Sequence, residues 1–302
     1  MIQDITIILD SASRLAAPLL FVALGEMVAE RAGTLNISVE AMMLGSAFGG
    51  ALGSSVTGSP VLGLLIGIAV GLVVAVVQAL LSHRFTINQF VVGLALNILV
   101  LGSTSFLLAS IDMIPLQFGT WSIPVLSEIP LVGQALFEQK PPFFLLYALI
   151  PLIWWVLWRS RWGLEIRAAG EDPDSSTITG IPVNRRRRQA IYLCGALAGL
   201  GGAYLSVGVI GAFTPNMTAG RGFIAIAAVI FGGWTIRGTV LGCLLFAWAD
   251  ALRLALPAIG VTITPQVLIS APYLLALLAM LLFARGKRQP AALGRTFAPG
   301  KA

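Results

Sequence analysis

Leu24-Gly25-Glu26-Met27-Val28-Ala29-Glu30-Arg31-Ala32-Gly33-Thr34-Leu35-Asn36-Ile37-Ser38-Val39-Glu40-Ala41-Met42-Met43-Leu44 sets three carboxylates, an arginine, an asparagine and a serine between two apolar stretches. Charge beside or inside hydrocarbon is costly unless it is paired or faces a cavity, so such a segment marks a function by default. The glycines interrupt the apolar run, as in transporter helices that line a path. Two readings follow. Either Asn36 or Ser38 caps a helix that leaves a surface loop, or a broken helix presents Glu26, Asn36, Ser38 and Glu40 to a solute route.

Composition places the segment in a membrane. Of 302 residues, 57% are hydrophobic and 11% charged, against roughly 25% charge in soluble domains. The mean hydropathy is +0.91. The apolar runs are long and continuous, which excludes an outer-membrane barrel with its short alternating segments. A span needs about 20 apolar residues, and the chain offers about nine, with eight to ten compatible. They cover 5–29, 40–57, 61–82, 87–110, 143–158, 189–211, 222–236, 238–256 and 267–285. The first is interrupted by Asp10 and Arg14, and the seventh and eighth are separated only by Arg237-Gly238. The expected fold is an all-α polytopic membrane protein of one domain, 1–302. No amino-terminal signal peptide is legible, because Met1 to Asp10 lacks a basic region.

Basic residues give the orientation. Arg84, then Arg159, Arg161, Arg167 and Arg185-Arg186-Arg187-Arg188, then Arg285, Lys287, Arg288, Arg295 and Lys301 fall on one side of the predicted spans. The positive-inside rule puts that side in the cytoplasm, with an inner loop at about 159–188 and an acidic, proline-rich outer loop at about 111–142. The amino terminus is then outside and the carboxy terminus inside. The same rule, with anionic headgroups, accounts for Arg185–Arg188 and for the net charge of +6. Nucleic acid is not implied.

Other polar groups stand in apolar surroundings. Asn88, Gln89 and Asn97 open the fourth span and suit interhelical hydrogen bonds. Asp250 and Arg253 are three apart and can pair on one helix face, as a structural pair or along a path. Glycines step by four at Gly45, Gly49 and Gly53, at Gly63, Gly67 and Gly71, and at Gly195 and Gly199, which is tight helix packing. In the inner loop, Asp172-Pro173 with Asp174 reads as a helix start and Gly180 as its end. That helix, about 173–180, is too short to stand alone and must dock on something.

Several chemistries are excluded. There is no Gly-x-x-x-x-Gly-Lys-Ser/Thr loop, and Gly220-Arg221-Gly222 lacks a phosphate-binding context. No His-Glu-x-x-His or Gly-x-Ser-x-Gly occurs, and the single His83 leaves little room for an intramembrane enzyme or a histidine metal site. Cys194 and Cys243 read as small buried hydrophobes. Asn36-Ile37-Ser38 and Asn216-Met217-Thr218 match the glycosylation sequon weakly. No cofactor is called for.

With these residues in view, a family resemblance stands out. Glu30-Arg31-Ala32-Gly33, Asn36 and Glu40, spaced as they are, resemble the permeases of bacterial ABC importers of the branched-chain amino acid and simple-sugar class. Within it they are most similar to nucleoside importers that work with a basic membrane lipoprotein. Arg167-Ala168, Gly170-Glu171-Asp172-Pro173 and Gly180-Ile181 resemble that family's coupling segment, and 190–202 and 220–233 also match, so the likeness covers about 15–285. Ala41 stands where the family has Gly, and Thr235-Ile236-Arg237 replaces a more usual Asn/Ser-Pro-Leu turn. The resemblance implies a type II importer permease in a bacterial cytoplasmic membrane. It implies docking of ATPase subunits on Gly170, Glu171, Asp172, Pro173, Asp174, Gly180 and Ile181. It implies a second permease, homologous or identical, and a periplasmic or lipid-anchored receptor that delivers a small molecule. A nucleoside is the expected cargo, with a simple sugar or branched-chain amino acid as the alternative. An ion-coupled transporter using Glu26, Glu40 or Asp250 is the rival from another class.

Overall fold

Apolar segments that cannot bond to water must satisfy their own backbone groups, and here they do so as helices. The computed structural model describes residues 2–124, 126–129, 132–258, 270, 274 and 289–297. In chain order they form α1 (Ile2–Arg31), α2 (Val39–Thr57), α3 (Pro60–His83), α4 (Gln89–Leu108), β1 (Trp121–Ser122), α5 (Gly133–Phe137), β2 (Glu138–Gln139), α6 (Leu145–Arg159), α7 (Arg161–Glu171), α8 (Pro173–Ile178), α9 (Val183–Ala203), α10 (Arg221–Phe231) and α11 (Ile236–Ala258). A 3-10 turn at Pro141–Phe144 leads into α6, and a π-helical stretch, Tyr204–Ile210, prolongs α9. Among the described residues, five stretches are long and apolar enough to cross a membrane: Ile8–Arg31, Pro60–His83, Gln89–Leu108, Pro141–Arg159 and Val183–Ile210.

Burial sorts these helices into a centre and a periphery. In their most apolar windows, 78% of α1 and of extended α9 is covered by the rest of the protein, against 33% of α3 and 22% of α4. Val73, Leu65, Ile98, Leu99 and Phe106 point outward, as residues facing lipid would. The centre is α1, α2 and α9, with Phe21, Leu24, Met27, Met42, Met43, Ile191 and Leu205 all buried. The glycine steps are where α2, α3 and α9 meet. A Cβ on Gly71 would lie 2.5 Å from the Gly195 carbonyl oxygen and 2.8 Å from the Gly199 Cα. One on Gly67 would meet Ala203 Cβ at 2.5 Å.

The architecture differs from the sequence expectation in three places. Segment 222–236 is not a full span: α10 has 11 residues, about 16 Å at 1.5 Å per residue, half of a hydrocarbon core of about 30 Å. The 159–188 segment is mostly helical, as α7, α8 and the first turn of α9. The 111–142 segment carries a two-residue antiparallel ladder, Trp121 opposite Gln139 and Ser122 opposite Glu138, beside α5. The expected span 267–285 lies outside the described residues, save for 270 and 274.

Candidate functional site

The quoted segment folds as an elbow driven back into the protein. α1 ends at Arg31, and Gly33 takes a left-handed φ of +84° that a side chain would strain. Residues 34–38 then run back along the last turns of α1. The Asn36 backbone N–H donates to Glu26 Oε1 at 3.3 Å and its Nδ2 to Glu26 Oε2 at 3.2 Å. Ser38 Oγ donates to Asn36 Oδ1 at 2.7 Å. Cys194 Sγ on α9 lies 3.3 Å from both Glu26 Oε2 and Asn36 Nδ2. Glu26, Asn36 and Ser38 are fully buried. Ser38 stands at the N-cap position of α2 but makes no capping bond; its hydroxyl is committed to Asn36.

The amides of α4 hold the same elbow from outside. Gln89 Oε1 accepts from the Leu35 N–H at 2.9 Å. Asn97 accepts from the Ala41 N–H at 2.9 Å and donates to the Ile37 carbonyl at 3.0 Å. Asn88 caps α4, accepting from the N–H groups of Phe90 and Val91.

Glu40 reaches a different partner. Its Oε1 accepts from Thr218 Oγ1 at 2.6 Å and the Gly220 N–H at 2.9 Å, and its Oε2 from the Gly222 N–H at 2.6 Å. These groups open α10, whose first N–H groups have no partner within the helix. A carboxyl group there also complements the positive end of the helix dipole. Gly222 admits it by lacking a side chain, since a Cβ would sit 2.7 Å from Glu40 Oε2. The buried Glu40 carboxyl thus anchors the start of α10, where Gly222 is buried and Gly220 and Arg221 are half-buried.

The other end of α10 is tied to the end of α1. Trp234 has a left-handed φ of +54°, unusual for a bulky residue. Its indole N–H donates to buried Glu30, and its carbonyl accepts from Arg31 Nε at 3.0 Å and Nη2 at 2.7 Å. Both ends of this half-length helix are thus fixed by residues of the quoted segment.

Asp250 and Arg253 do pair, with Arg253 Nε 2.9 Å from Asp250 Oδ1, but they are not alone. Arg221, the first residue of α10, puts Nη2 3.1 Å from Asp250 Oδ2. The triad joins α10 to α11 and is not in contact with the Glu26 cluster. In a double-mutant cycle on thermal stability, Arg221→Gln and Asp250→Asn are expected to couple by about 1 kcal/mol or more. Arg253→Gln, whose side chain is 30% exposed against 16% for Arg221, should couple more weakly. Additive losses would show that the triad carries no energy.

The segment 159–188 is built for display. Ser160 Oγ accepts from the Gly163 N–H at 3.0 Å to start α7. Asp172 Oδ1 caps α8 through the N–H groups of Asp174 at 3.1 Å and Ser175 at 3.0 Å. The Ser175 hydroxyl, ahead of those N–H groups, holds the Asp172 carboxyl below the usual carboxylate range. Gly180 ends the turn at φ +87° with Ile181 N–H bonded to the Ser176 carbonyl at 2.9 Å. α8 has six residues, close to the expected length of about seven. Ile178 is 87% exposed on it, an apolar side chain with no partner among the described residues. Trp162 and Glu165 of α7 bond to Gln189 and Arg186 of α9.

The structure thus gathers Glu26, Asn36 and Ser38, flanks them with Gln89 and Asn97, sends Glu40 to α10, and leaves Asp250 and Arg253 apart. None of these lines a described cavity. A cavity of about 230 Å³ opens at the opposite end of the bundle, lined by Ser54, Asp112, Ser206 and Phe213 among others. Sequence reasoning missed Cys194, Thr218, Arg221 and Trp234 as partners. It also assigned Arg185–Arg188 to headgroups and topology, whereas Arg187 is wholly buried. The one legible signal was Gly220-Arg221-Gly222, whose bare N–H groups suit an acceptor.

Comparison with known proteins places the sequence in a family. Residues 8–284 match the family model described as branched-chain amino acid transport system / permease component. The putative glucose ABC transporter permease protein TsgC13 of Haloferax volcanii is 36% identical over 264 residues, 86% of this chain and 80% of that protein. The guanosine ABC transporter permease protein NupQ of Bacillus subtilis is 33% identical over 100% of this chain and 99% of its own length. The nucleoside ABC transporter permease protein NupC of Lactococcus lactis is 31% identical over 99% and 96%.

Proposed function

This chain belongs to the permease-component family of branched-chain amino acid transport systems, and on that premise we propose how it works and what it carries. It is a multi-pass membrane protein and a non-catalytic subunit of an ABC transporter. In the proposed reading it is a single permease domain in a bacterial cytoplasmic membrane, with the α7–α8 end in the cytoplasm and the amino terminus outside. Two copies, or this chain and a homologue, form the pore. ATPase subunits press on α8, and a periplasmic or lipid-anchored receptor delivers cargo at the far end, where the 230 Å³ cavity lies.

The observation that carries the coupling role is α8 itself. It is capped at both ends, offers Ile178 to a partner, and is rooted through α7 against the elbow. Breaking it with Ser176→Pro removes the N–H that bonds the Asp172 carbonyl at 3.1 Å. The expected result is normal membrane insertion with uptake per ATP hydrolysed reduced at least about fivefold, a coupling loss of ordinary size. Uptake at the wild-type ratio would remove α8 from the mechanism.

For the cargo, near-complete coverage of a guanosine and a nucleoside permease supports a nucleoside. A sugar is the second reading, favoured by the higher identity to a glucose permease. The candidate pathway residues Glu26, Asn36, Ser38, Glu40, Asn88, Gln89, Asn97, Asp250 and Arg253 act in this proposal chiefly by shaping the route. They are bonded to one another and to backbone, so the receptor sets most of the selectivity. Purification of the tagged chain in mild detergent, with mass spectrometry of its companions, tests the assembly. An ATPase, a receptor and a second permease or second copy are expected. The recovered receptor is then titrated with guanosine and glucose, and binding of glucose alone would replace the nucleoside by a sugar. Recovery of the chain without an ATPase would sink the proposed assembly.

A further inference from the structure

Arg187 sits at the α7–α8 end of the bundle with no exposed surface, and among the described residues it has no carboxylate partner. A buried guanidinium without counter-charge is costly unless its donors are all directed at acceptors. Here the acceptors are main-chain carbonyls from three segments. Nε donates to the Ala32 carbonyl at 3.0 Å, Nη2 to the Ala169 carbonyl at 3.4 Å and Nη1 to the Arg295 carbonyl at 2.7 Å. Ala32 follows the last residue of α1, and Ala169 lies in the last turn of α7, so the cation rests on the negative ends of two helix dipoles. Gly33 makes room, since a Cβ there would lie 2.7 Å from Arg187 Nη2.

Residues 289–297 close over the same point as a strap. The Ala292 N–H donates to the Gly170 carbonyl at 2.9 Å and the Gly294 N–H to the Gly33 carbonyl at 3.0 Å. Asn184 Nδ2 donates to the Phe297 carbonyl at 3.2 Å, and Gln89 Nε2 to the Arg295 carbonyl at 3.4 Å. Within the strap, Pro290 and Ala292 are buried. One strand of chain thereby bonds the root of the coupling segment, the elbow, α9 and α4.

We propose that Arg187 and the 289–297 strap are the positioning element of the transport cycle, joining the root of the coupling segment to the α1–α2 elbow so that a push on α8 moves the elbow as one body. This rests on α8 as the segment that meets the ATPase. The route is continuous: α8 follows α7, Arg187 and the strap bind α7 to Ala32 and Gly33, and the elbow carries Asn36 onto Glu26. Arginine is required because only a planar fork with several donors serves three carbonyls at once.

The test uses the whole importer complex in liposomes, with guanosine as the transported probe. Arg187→Gln is expected to keep ATP hydrolysis within about twofold and to lower guanosine uptake per ATP about tenfold, within the usual span of coupling energies. Arg187→Lys should recover part of that ratio. A chain ended after Gln289 should fall between, and combining it with Arg187→Gln should add little, because the two changes break one connection. Hydrogen exchange supplies a readout that needs no substrate: Arg187→Gln should speed exchange at 289–297 and at 165–180 together. A wild-type uptake ratio in Arg187→Gln overturns the proposal. So does a parallel fall in uptake and hydrolysis with the amount of assembled complex, or faster exchange confined to the strap. If the wild-type complex takes up no guanosine, the nucleoside reading falls and the exchange result decides this one. A wild-type complex that hydrolyses no ATP would remove the α8 assignment and this proposal with it.

Discussion

Glu40→Ala is expected to abolish stable assembly of this permease. The substitution leaves the Thr218 hydroxyl and the N–H groups of Gly220 and Gly222 without their acceptor. Each buried donor left unpaired costs about 1–3 kcal/mol, so three together cost about 3–9 kcal/mol, comparable to the whole stability of many domains. The damage is not local, because the three donors open α10 and hold its first turn on the buried Glu40 side chain. Glu40→Gln keeps one acceptor oxygen but turns an amide N–H₂ toward N–H donors, and should fall between Ala and wild type. Thermal unfolding in detergent, followed by monodisperse recovery on size exclusion, gives the order wild type, Gln, Ala. A Glu40→Ala protein melting within about a degree of wild type would show that α10 starts without this support.

Gly71→Leu is the second large effect. Gly71 faces the Gly195 carbonyl oxygen and the Gly199 Cα across the α3–α9 contact. The obstacle is backbone on both counts, so no rotamer change relieves it, and α3 must move away from α9. Overpacking a tight contact costs about 1–3 kcal/mol where side chains can yield, and more where they cannot. At least a tenfold loss of folded protein is expected, since about 1.4 kcal/mol already gives that factor. Gly102→Leu is the matched control: it sits on α4 with open space around its Cβ position and should leave recovery unchanged. Equal recovery of the two variants would mean that the glycine steps do not set helix spacing.

The helices of this protein were largely legible because hydrocarbon forces each apolar run to bond within itself. Pairwise contacts along one helix were legible for the same reason, as with Asp250 and Arg253, which are one turn apart. What could not be read was partnership across long separations. Asp250 also needs Arg221, Glu40 needs Thr218 and two glycine N–H groups, and Arg187 needs carbonyls from three places. A carbonyl acceptor has no residue-type signature, so a buried arginine satisfied by main chain looks like any arginine beside a span. The half-length of α10 was hidden too, because Arg221 to Trp234 is apolar enough to pass for a short span until its first N–H groups are seen on an interior carboxyl. The polar character of the elbow was plain in Glu26, Asn36 and Ser38; their mutual bonding was not, since the fold-back at Gly33 decides it.

The strap also has a history within each molecule. Residues 289–297 are synthesised after every helix they close over, so the Gly33 and Gly170 carbonyls and the Arg187 guanidinium wait without their last partners while the bundle is already in place. The end of the protein that carries α7 and α8 is therefore finished last. A nascent chain stalled before residue 289 would carry α7, α8 and all the central helices with an unsealed elbow, and a partner that recognises the closed surface would pass it over.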